Sequence, residues 1–415
     1  MTPEIKQRIE QIRRGEVPER YVKTALGLAP ANWKRYTFGD IYTERKEPGD
    51  EKLPLLMVSI HSGVSDGEVD AAELPKQVKR IEDKSQYKKA VSGDLVFNMM
   101  RAWQGAIGTV RTTGMVSPAY IVAEPNDKVN PLFMDYYSRT PQMINQIGRQ
   151  SYGVTDFRKR LYWDSFAPIG CILPPIEEQQ KIATILTTQD KVIELKEKRL
   201  AEKQRQKKYL MQQLLTGKKR LPGFNGAWKT DCLGKLFFER KETNCENIEM
   251  LAITGTQGII PRKELDLKDN SSEDKSKYLR VCVGDIGYNT MRMWQGVSAY
   301  SNYEGIVSPA YTILKPSSSI NAKYFAYLFK MSEIVFLFYR FSQGLVDDTR
   351  NLKYENFKKI KVCYPPDMKE QAAIAEVLSA ADREIELLQQ DIEQEKQKKK
   401  ALMQLLLTGI VRVKT

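Results

Sequence analysis

Hydrophobic and polar residues follow two different patterns along this chain. In the stretches 31–174 and 226–365, short runs of β-branched and aromatic residues, such as those after Asp94 and Ala119, are separated by Gly, Asn, Asp and Pro. Helical patterns interrupt them from Pro131 to Ile147 and from Ala322 to Tyr339. The pattern predicts two α+β domains.

A second pattern follows each of two Pro-Pro pairs, Pro174-Pro175 and Pro365-Pro366. The composition changes there to Glu, Gln, Lys, Leu and Ile, and no Gly or Pro occurs again until Gly217 and Gly409. Both glycines stand where a helix-ending glycine is expected. Each stretch therefore predicts one helix of about 40 residues, roughly 60 Å long at 1.5 Å per residue.

Both predicted helices carry a heptad seam that is apolar at its ends and more polar in its middle. Its apolar positions are Ile182, Leu186, Ile193, Leu200, Leu210 and Leu214 on the first helix, and Ile374, Leu378, Ile385, Leu388, Ile392, Leu402 and Leu406 on the second. We expect the helices to pair as an antiparallel coiled coil with pseudo-twofold symmetry, with Ile193 near Glu395 and Leu200 near Leu388. The alternative is two separate helices, each packed on its own domain or on another protein.

The sequence of a mixed segment followed by a long helix occurs twice in the chain. Asn98 to Gly105 reads Asn-Met-Met-Arg-Ala-Trp-Gln-Gly, and Asn289 to Gly296 reads Asn-Thr-Met-Arg-Met-Trp-Gln-Gly, which sets an offset of 191 residues between Asn98 and Asn289. The same offset relates Val116–Tyr120 to Val307–Tyr311, and one inserted residue shifts the helices to 192. Each half is therefore a copy of one unit.

Charge and composition limit the possible partners. The 415 residues carry a formal charge of +13 and have a pI near 9.2, which favours a polyanion, and nucleic acid first of all. A solubility feature is the plain alternative. The five cysteines lie far apart and His61 is the only histidine, so local spacing assembles no zinc site. With no apolar run of about 20 residues, we expect a cytoplasmic protein with no membrane partner.

The doubled order of these motifs resembles the specificity subunits of type I restriction-modification systems. The resemblance rests on Leu173–Ala183, on Gln213–Gly217 followed by Arg220–Phe224, and on the second copy from Tyr364 to Gly409. It implies that each variable domain reads one half of an inverted, bipartite double-stranded DNA site, with the helices as a ruler. It also implies docking of two methyltransferase subunits, which use S-adenosylmethionine, and of restriction and translocase subunits, which use ATP and Mg.

On this basis the chain divides into five segments. Residues 1–30 form an N-terminal helix and arm, 31–174 the first target-recognition domain, 175–217 the first spacer helix, 218–365 the second recognition domain, and 366–415 the second helix with a tail. We predict no cofactor or metal bound by this chain and no catalysis by it. The chain has no Asn/Asp-Pro-Pro-Tyr/Phe signature, and it has neither a G-x-G-x-x-G cofactor loop nor a G-x-x-x-x-G-K-[ST] loop for ATP.

Three loops in each half carry residue types that contact phosphates and base edges. The first loop is Ser59–Gly63 with its counterpart Thr254–Gly258, the second is Asn98–Gly105 with Asn289–Gly296, and the third is Ser151–Arg158 with Ser342–Arg350. The predicted DNA-binding residues are Ser59, His61, Lys84, Tyr87, Asn98, Arg101, Trp103, Gln104, Tyr152 and Arg158 in the first half, and Thr254, Gln257, Lys277, Tyr278, Asn289, Arg292, Trp294, Gln295, Gln343 and Arg350 in the second. The two tryptophans could equally pack the domain core. Lysines 84 and 277 with the tyrosines beside them could form a basic edge for phosphates or a merely solvated face.

If the arginines and glutamines of the repeated motif read bases, the two half-sites should share part of their sequence. The rival class is a coiled-coil scaffold whose basic surface binds DNA without sequence preference.

Overall fold

The computed structural model describes residues 3–65, 86–153, 155, 158–245, 248–255, 258–265 and 274–413. The chain forms two compact units: the first is Met1–Leu195 with Ile392–Thr415, and the second is Lys196–Asp391. Both boundaries fall inside a long helix, so each unit combines one recognition segment with part of each helix.

The described residues of the first half form eighteen α-helices and β-strands, which follow one another in chain order. They are α1 (Pro3–Arg13), β1 (Tyr21–Thr24), β2 (Gly27–Pro30), β3 (Lys34–Thr37), α2 (Phe38–Ile41), β4 (Tyr42–Glu44), β5 (Val58–Ser59), β6 (Gly63–Val64), β7 (Lys88–Ala90), β8 (Leu95–Asn98), β9 (Ile107–Thr109), β10 (Gly114–Val116), β11 (Tyr120–Pro125), α3 (Pro131–Tyr137), α4 (Pro141–Gln150), α5 (Trp163–Phe166), β12 (Gly170–Leu173) and α6 (Ile176–Leu214).

The second half repeats this order after the N-terminal arm. Its elements are β13 (Lys229–Cys232), α7 (Leu233–Leu236), β14 (Phe237–Arg240), β15 (Leu251–Ile253), β16 (Ile259–Pro261), β17 (Leu279–Val281), β18 (Ile286–Asn289), β19 (Ser298–Tyr300), β20 (Gly305–Val307), β21 (Tyr311–Pro316), α8 (Ala322–Leu328), α9 (Ser332–Phe341), α10 (Tyr354–Phe357), β22 (Lys361–Tyr364) and α11 (Met368–Leu407). The α+β class predicted from the sequence is confirmed.

A four-stranded antiparallel sheet organises each unit. Its order is β4-β11-β8-β9 in the first unit and β14-β21-β18-β19 in the second. One face of the first sheet packs on an aromatic cluster, in which the Phe166 ring lies 4.3 Å from Phe38 and 4.6 Å from Phe97. A short pair, β3 with β12 or β13 with β22, closes each recognition segment. Each long helix begins directly after the second strand of that pair.

Two shorter helices replace each single helix predicted over Pro131–Ile147 and Ala322–Tyr339, so that prediction was wrong in detail. In the first unit Thr140 has an extended backbone, and its hydroxyl accepts the Met143 N–H at 3.4 Å. Pro141 opens the new helix, and the residue before a proline is disfavoured in the α conformation. The break therefore has a local cause.

In the first unit, the beginning of α6 packs antiparallel against the end of α11. Ile182 and Leu186 share a core with Leu402 and Leu406. Farther along, the Gln189 amide donates to Glu395 Oε2 at 2.6 Å. Polar partners thus take over where the apolar seam fades, as the polar middle of the heptads predicts.

In the second unit, the end of α6 and the beginning of α11 run antiparallel. As the residue numbers of the ion-paired lysines rise along α6, those of their acidic partners fall along α11. The pairs are Lys196 with Asp391 at 2.8 Å, Lys203 with Glu384 at 2.9 Å, and Lys207 with Asp382. The apolar end of this seam places Leu214 with Ile374 and Leu378 in one core. Leu200, Leu210, Ile385 and Leu388 are half-buried. The pseudo-twofold relation between the halves of the molecule stays a prediction.

The two helix ends and the two helix starts use matching contacts within each unit. Gly217 and Gly409 have φ angles of +72° and +70°, so each stops its helix as the sequence predicts. Three residues later, Arg412 binds the buried Glu178 carboxylate at 2.6 Å in the first unit, and Arg220 binds Glu370 at 2.5 Å in the second. These ion pairs fix the start of each long helix.

Candidate nucleic-acid interface

The repeated motif forms the turn of a hairpin in both units. Asn98 Oδ1 accepts the Met100 N–H at 2.9 Å, and Trp103 Nε1 donates to the Met100 carbonyl at 3.0 Å. Gly105 ends the turn with φ +105°, which a residue with a side chain rarely adopts. The asparagine, tryptophan and glycine therefore shape this turn between β8 and β9.

The turn between β18 and β19 is built in the same way. Asn289 Oδ1 accepts from Met291 N at 3.0 Å, Trp294 Nε1 donates to the Met291 carbonyl at 2.9 Å, and Gly296 has φ +82°. A one-turn 3-10 helix supplies the curvature in both copies. The doubled sequence is thus a doubled structure.

Two polar side chains of each turn are exposed to solvent. Arg101 and Gln104 are exposed in the first unit, as Arg292 and Gln295 are in the second. A guanidinium can donate two hydrogen bonds to guanine, and a glutamine amide can both donate to and accept from adenine. These four are the exposed polar residues of the motif, and in the second unit Arg292 Nη1 donates to Gln295 Oε1 at 3.5 Å.

The tryptophans are engaged inside their own units. Trp103 packs against the core, with the Lys159 ammonium 4.8 Å above its ring. Trp294 meets Tyr339 edge to face at 6.2 Å and the Arg350 guanidinium at 5.9 Å. This geometry favours the packing role that the sequence left open.

The third loop closes on itself and lies against the turn. Tyr152 and Arg160 exchange backbone hydrogen bonds of 2.8 and 2.7 Å, and Leu161 N donates to the Met99 carbonyl at 2.9 Å. In the second unit Gln343 pairs with Asn351 at 2.8 and 2.7 Å. There Leu352 N donates to the Thr290 carbonyl at 2.8 Å.

This bridging changes one correspondence expected from the sequence. The bridges keep the offset of 191, so the position equivalent to Arg350 is Lys159, and not Arg158. Both Lys159 and Arg350 lie over the tryptophan of the neighbouring turn. Lys159 was missed as a candidate, although extending the offset through the loop would have found it. Arg158 and Tyr152 are exposed, as is Gln343.

The first loop reaches the same turn from the other side. Ser59 Oγ accepts the His61 N–H at 3.1 Å, and His61 is exposed. The Ile60 carbonyl lies 3.4 Å from the position that a Cβ on Gly105 would occupy. In the second unit Thr254 N donates to the Gly258 carbonyl at 2.8 Å. Gln257 lies outside the described residues.

The lysine and tyrosine edge differs from expectation. Tyr87 and Tyr278 are only 5% and 6% exposed, because their rings pack inward beside β7 and β17. Lys277 is exposed, and the Lys275 ammonium lies 5.1 Å over the Tyr278 ring. Lys84 lies outside the described residues. In this arrangement the exposed cation, and not the ring, is the group available to a phosphate.

Buried ion pairs hold the sheets beneath these loops. Arg45 Nε donates to Asp94 at 2.8 Å in the first unit, and Arg240 Nε donates to Asp285 at 2.8 Å in the second. Burial raises the pKa of the Asp94 carboxyl, although its bonds to Arg45 and to the Val91 N–H oppose that rise. Both aspartates are buried within the sheet and its preceding turn, so they are supports and not ligands for DNA.

Two general properties limit the chemistry of the described part of the chain. No cluster of three His, Cys, Asp or Glu side chains there could hold a metal ion. No helix in those same ranges is long and apolar enough to cross a membrane.

Comparison with known proteins gives a consistent result. The family model described as the type I restriction modification DNA specificity domain matches residues 63–205 and 234–397. The putative type I restriction enzyme MjaX specificity subunit of Methanocaldococcus jannaschii is 24% identical over 96% of this chain and 98% of that protein. The MjaVIII specificity subunit of the same organism is 25% identical over 80% of this chain and 83% of its own length.

Solved structures show a related fold. The S subunit of a type I restriction-modification system from M. genitalium is 12% identical, with a TM-score of 0.55, over 92% of this chain and 97% of that one. A chain from a study of complex assembly and conformational transition of the type I R-M system is 16% identical, with a TM-score of 0.52, over 92% of this chain and 99% of its own.

Proposed function

Because this chain belongs to the family of type I restriction modification DNA specificity domains, we propose that it selects the DNA sequence on which a type I restriction-modification enzyme acts. The family model matches twice, once in each half of the chain. We propose that each unit reads one half of a bipartite site in double-stranded DNA.

One observation carries this proposal: both units present an exposed arginine and an exposed glutamine from the same rigid hairpin turn. Arg101 with Gln104, and Arg292 with Gln295, stand on turns whose remaining polar groups are used internally. A turn held by its own hydrogen bonds loses little freedom on binding, so its exposed donors can discriminate between bases. Of the twenty predicted DNA-binding residues, we therefore assign base reading to two pairs, Arg101 with Gln104 and Arg292 with Gln295.

The remaining candidates support a contact with phosphates. Arg158 in the first unit and Lys277 in the second are exposed, and exposed cations supply the sequence-independent part of DNA affinity. The exposed His61 can donate a hydrogen bond to a phosphate oxygen. The net charge of +13 fits that part of the interaction.

We assign the chemistry to partners. Two methyltransferase subunits would supply S-adenosylmethionine chemistry, and restriction or translocase subunits would supply ATP and Mg. The long helices would set the spacing between half-sites and offer the docking surface, since Leu195 and Leu387 expose apolar side chains there. The chain itself would act without catalysis.

The deciding experiment adds the full chain to its methyltransferase subunit and maps methylated adenines on plasmid DNA by long-read sequencing. We expect methylation confined to one bipartite motif. Methylation that keeps the same motif when this chain is left out contradicts the proposal. Binding that falls with salt but shows no sequence preference would instead support the scaffold with a basic surface.

A further inference from the structure

The third loop of the second unit ends in an apolar apex that the functions assigned so far do not use. Leu345 is fully exposed and Val346 is 59% exposed. Single exposed apolar side chains are common on protein surfaces. Two adjacent ones at the apex of a loop that lies beside a base-reading turn call for a specific explanation.

The apex is held in place by the loop below it. Gly344 has φ +138°, and a Cβ there would meet the Arg350 backbone at 2.7 Å. Thr349 Oγ1 donates to the Val346 carbonyl at 3.0 Å, and the Asn351 amide donates to the Thr349 carbonyl at 3.1 Å. The two aliphatic side chains are therefore presented by a built structure.

Arg350 connects this loop to the turn and also pairs with the loop's own Asp347, its Nε 3.4 Å from Asp347 Oδ1. The Arg350 guanidinium lies 4.1 Å from the Tyr339 ring centroid and 5.9 Å from the Trp294 ring centroid. Arg292 stands two residues before Trp294 and is exposed. The apex is thus an apolar feature in a loop that is joined through Arg350 to a turn with an exposed arginine, and such a surface suits a polyanion that also offers an apolar group.

We propose that Leu345 and Val346 contact the 5-methyl groups of thymines in the half-site read by the second unit. The thymine methyl group is the apolar feature of the DNA major groove, where aliphatic side chains contact it and arginine and glutamine read neighbouring bases. The inference rests on the proposed function and adds a specificity determinant to it.

The test replaces single thymines of the second half-site with deoxyuridine, which removes the methyl group and keeps base pairing. Affinity of the complex of full chain and methyltransferase subunit is measured by fluorescence anisotropy at fixed salt. We expect wild type to lose about fourfold in affinity at one thymine or more, the effect of one buried methyl group. The double variant Leu345→Ala with Val346→Ala should bind both probes equally, at about the affinity of wild type for the uracil probe.

The exposed Val283, on the turn before β18, gives a matched control, and Val283→Ala should keep the wild-type difference. Motif-specific binding by wild type that ignores every methyl group, or a half-site without thymine, overturns this inference and leaves the proposed function standing. A double variant that loses the same factor of affinity on the thymine probe and on the uracil probe, and so keeps the wild-type difference between them, also overturns it. Wild type without any motif preference overturns the proposed function itself.

Discussion

The two units differ in the charged side chains that contact the hairpin turn and the first loop. In the first unit the buried Asp135 accepts the Thr109 N–H at 3.0 Å and pairs with Arg139 at 3.1 Å and Arg111 at 3.4 Å. A Cβ on Gly63 would lie 3.2 Å from Arg139 Nη1, so this cluster lies under the first loop.

The second unit has Ala326 at the position of Asp135 and Lys330 at that of Arg139. Without an acidic partner there, the Lys330 ammonium donates to the Gly296 carbonyl at 2.8 Å. It therefore supports the hairpin turn and not the first loop. The groups within the turn therefore repeat between the two units, whereas the residues at the positions of Asp135 and Arg139 differ and make different contacts.

The helices beside the turns differ in the same sense. α9 presents Phe336 and Tyr339, stacked at 6.5 Å, where α4 carries Asn145 and Gly148. Tyr339 of this pair lies 4.1 Å from the Arg350 guanidinium in the second unit. The cation at this position therefore lies over two rings, Tyr339 and Trp294, in the second unit, whereas its counterpart Lys159 lies over the Trp103 ring.

Loss of the arginine at a helix start should give the largest effect. Arg220→Ala leaves the nearly fully buried Glu370 carboxylate without its ion pair, and the Trp228 Nε1 has no hydrogen-bond partner among the described residues. We expect a loss of about 3–5 kcal/mol in the free energy of unfolding.

Arg412→Ala should cost less, because Trp33 Nε1 still donates to Glu178 at 3.3 Å. Urea unfolding followed by hydrogen exchange would locate each loss in its own unit, with Lys218→Ala as the exposed control. Equal losses for the two arginines would contradict this asymmetry.

Asp135→Ala should act on the first unit alone. It removes an acceptor for the Thr109 N–H and leaves Arg139 without its buried partner, so we expect a loss of about 3 kcal/mol. Faster hydrogen exchange in β6 and β9, with unchanged exchange in β16 and β19, is the expected pattern. If the variant changes hydrogen exchange equally in β6 and β9 and in β16 and β19, the Asp135 cluster does not specifically support the first loop.

The arginines that we propose to read bases should separate the units by function. Arg101→Ala and Arg292→Ala should each relax selection in one half-site only, by about 1–3 kcal/mol of discrimination. Sequencing of methylated motifs measures this directly. Because both turns carry the same pair of residues, the relaxed positions should carry the same base in inverted orientation, and unrelated bases would refute a shared reading mode.

The smallest effect concerns pH. Desolvation lowers the pKa of Lys330 from 10.5 to about 8. Between those values the unfolded chain holds a proton that the folded chain lacks, so stability rises as pH increases from about 8 toward 10.5 and is lost as pH falls back through 8.

Part of the Lys330 side chain is exposed, so solvent screening should keep this gain below about 1 kcal/mol. The gain should vanish in Lys330→Met, measured as the difference in free energy of unfolding at pH 8 and pH 10. Identical pH dependence of wild type and variant would show that the lysine is freely hydrated.

Much of the architecture was predictable from the chain alone. The heptads of Ile182–Leu214 and Ile374–Leu406 indicated two long helices, and the offset of 191 pairs β8, β9 and β11 with β18, β19 and β21, whereas β4 and β14 begin 195 residues apart. The site was less predictable. The repeated motif identified Asn98, Arg101, Trp103 and Gln104 as candidates, but the sequence could not distinguish the side chains that stabilise the turn from those that are exposed to solvent.

Self-similarity at a fixed offset revealed the repeat, and local periodicity explains the rest of what the sequence determined: the α+β class and the two helices each depend on neighbours within a few residues, which the order of apolar and polar positions records. Tertiary structure decided which side chains of the turn face solvent, that Lys159 and Arg350 lie over the tryptophan of the neighbouring turn, and that Glu178 meets Arg412 from 234 residues away. Those outcomes depend on burial and on partners distant along the chain, and a buried charge is stable only where the fold brings its counterion to it.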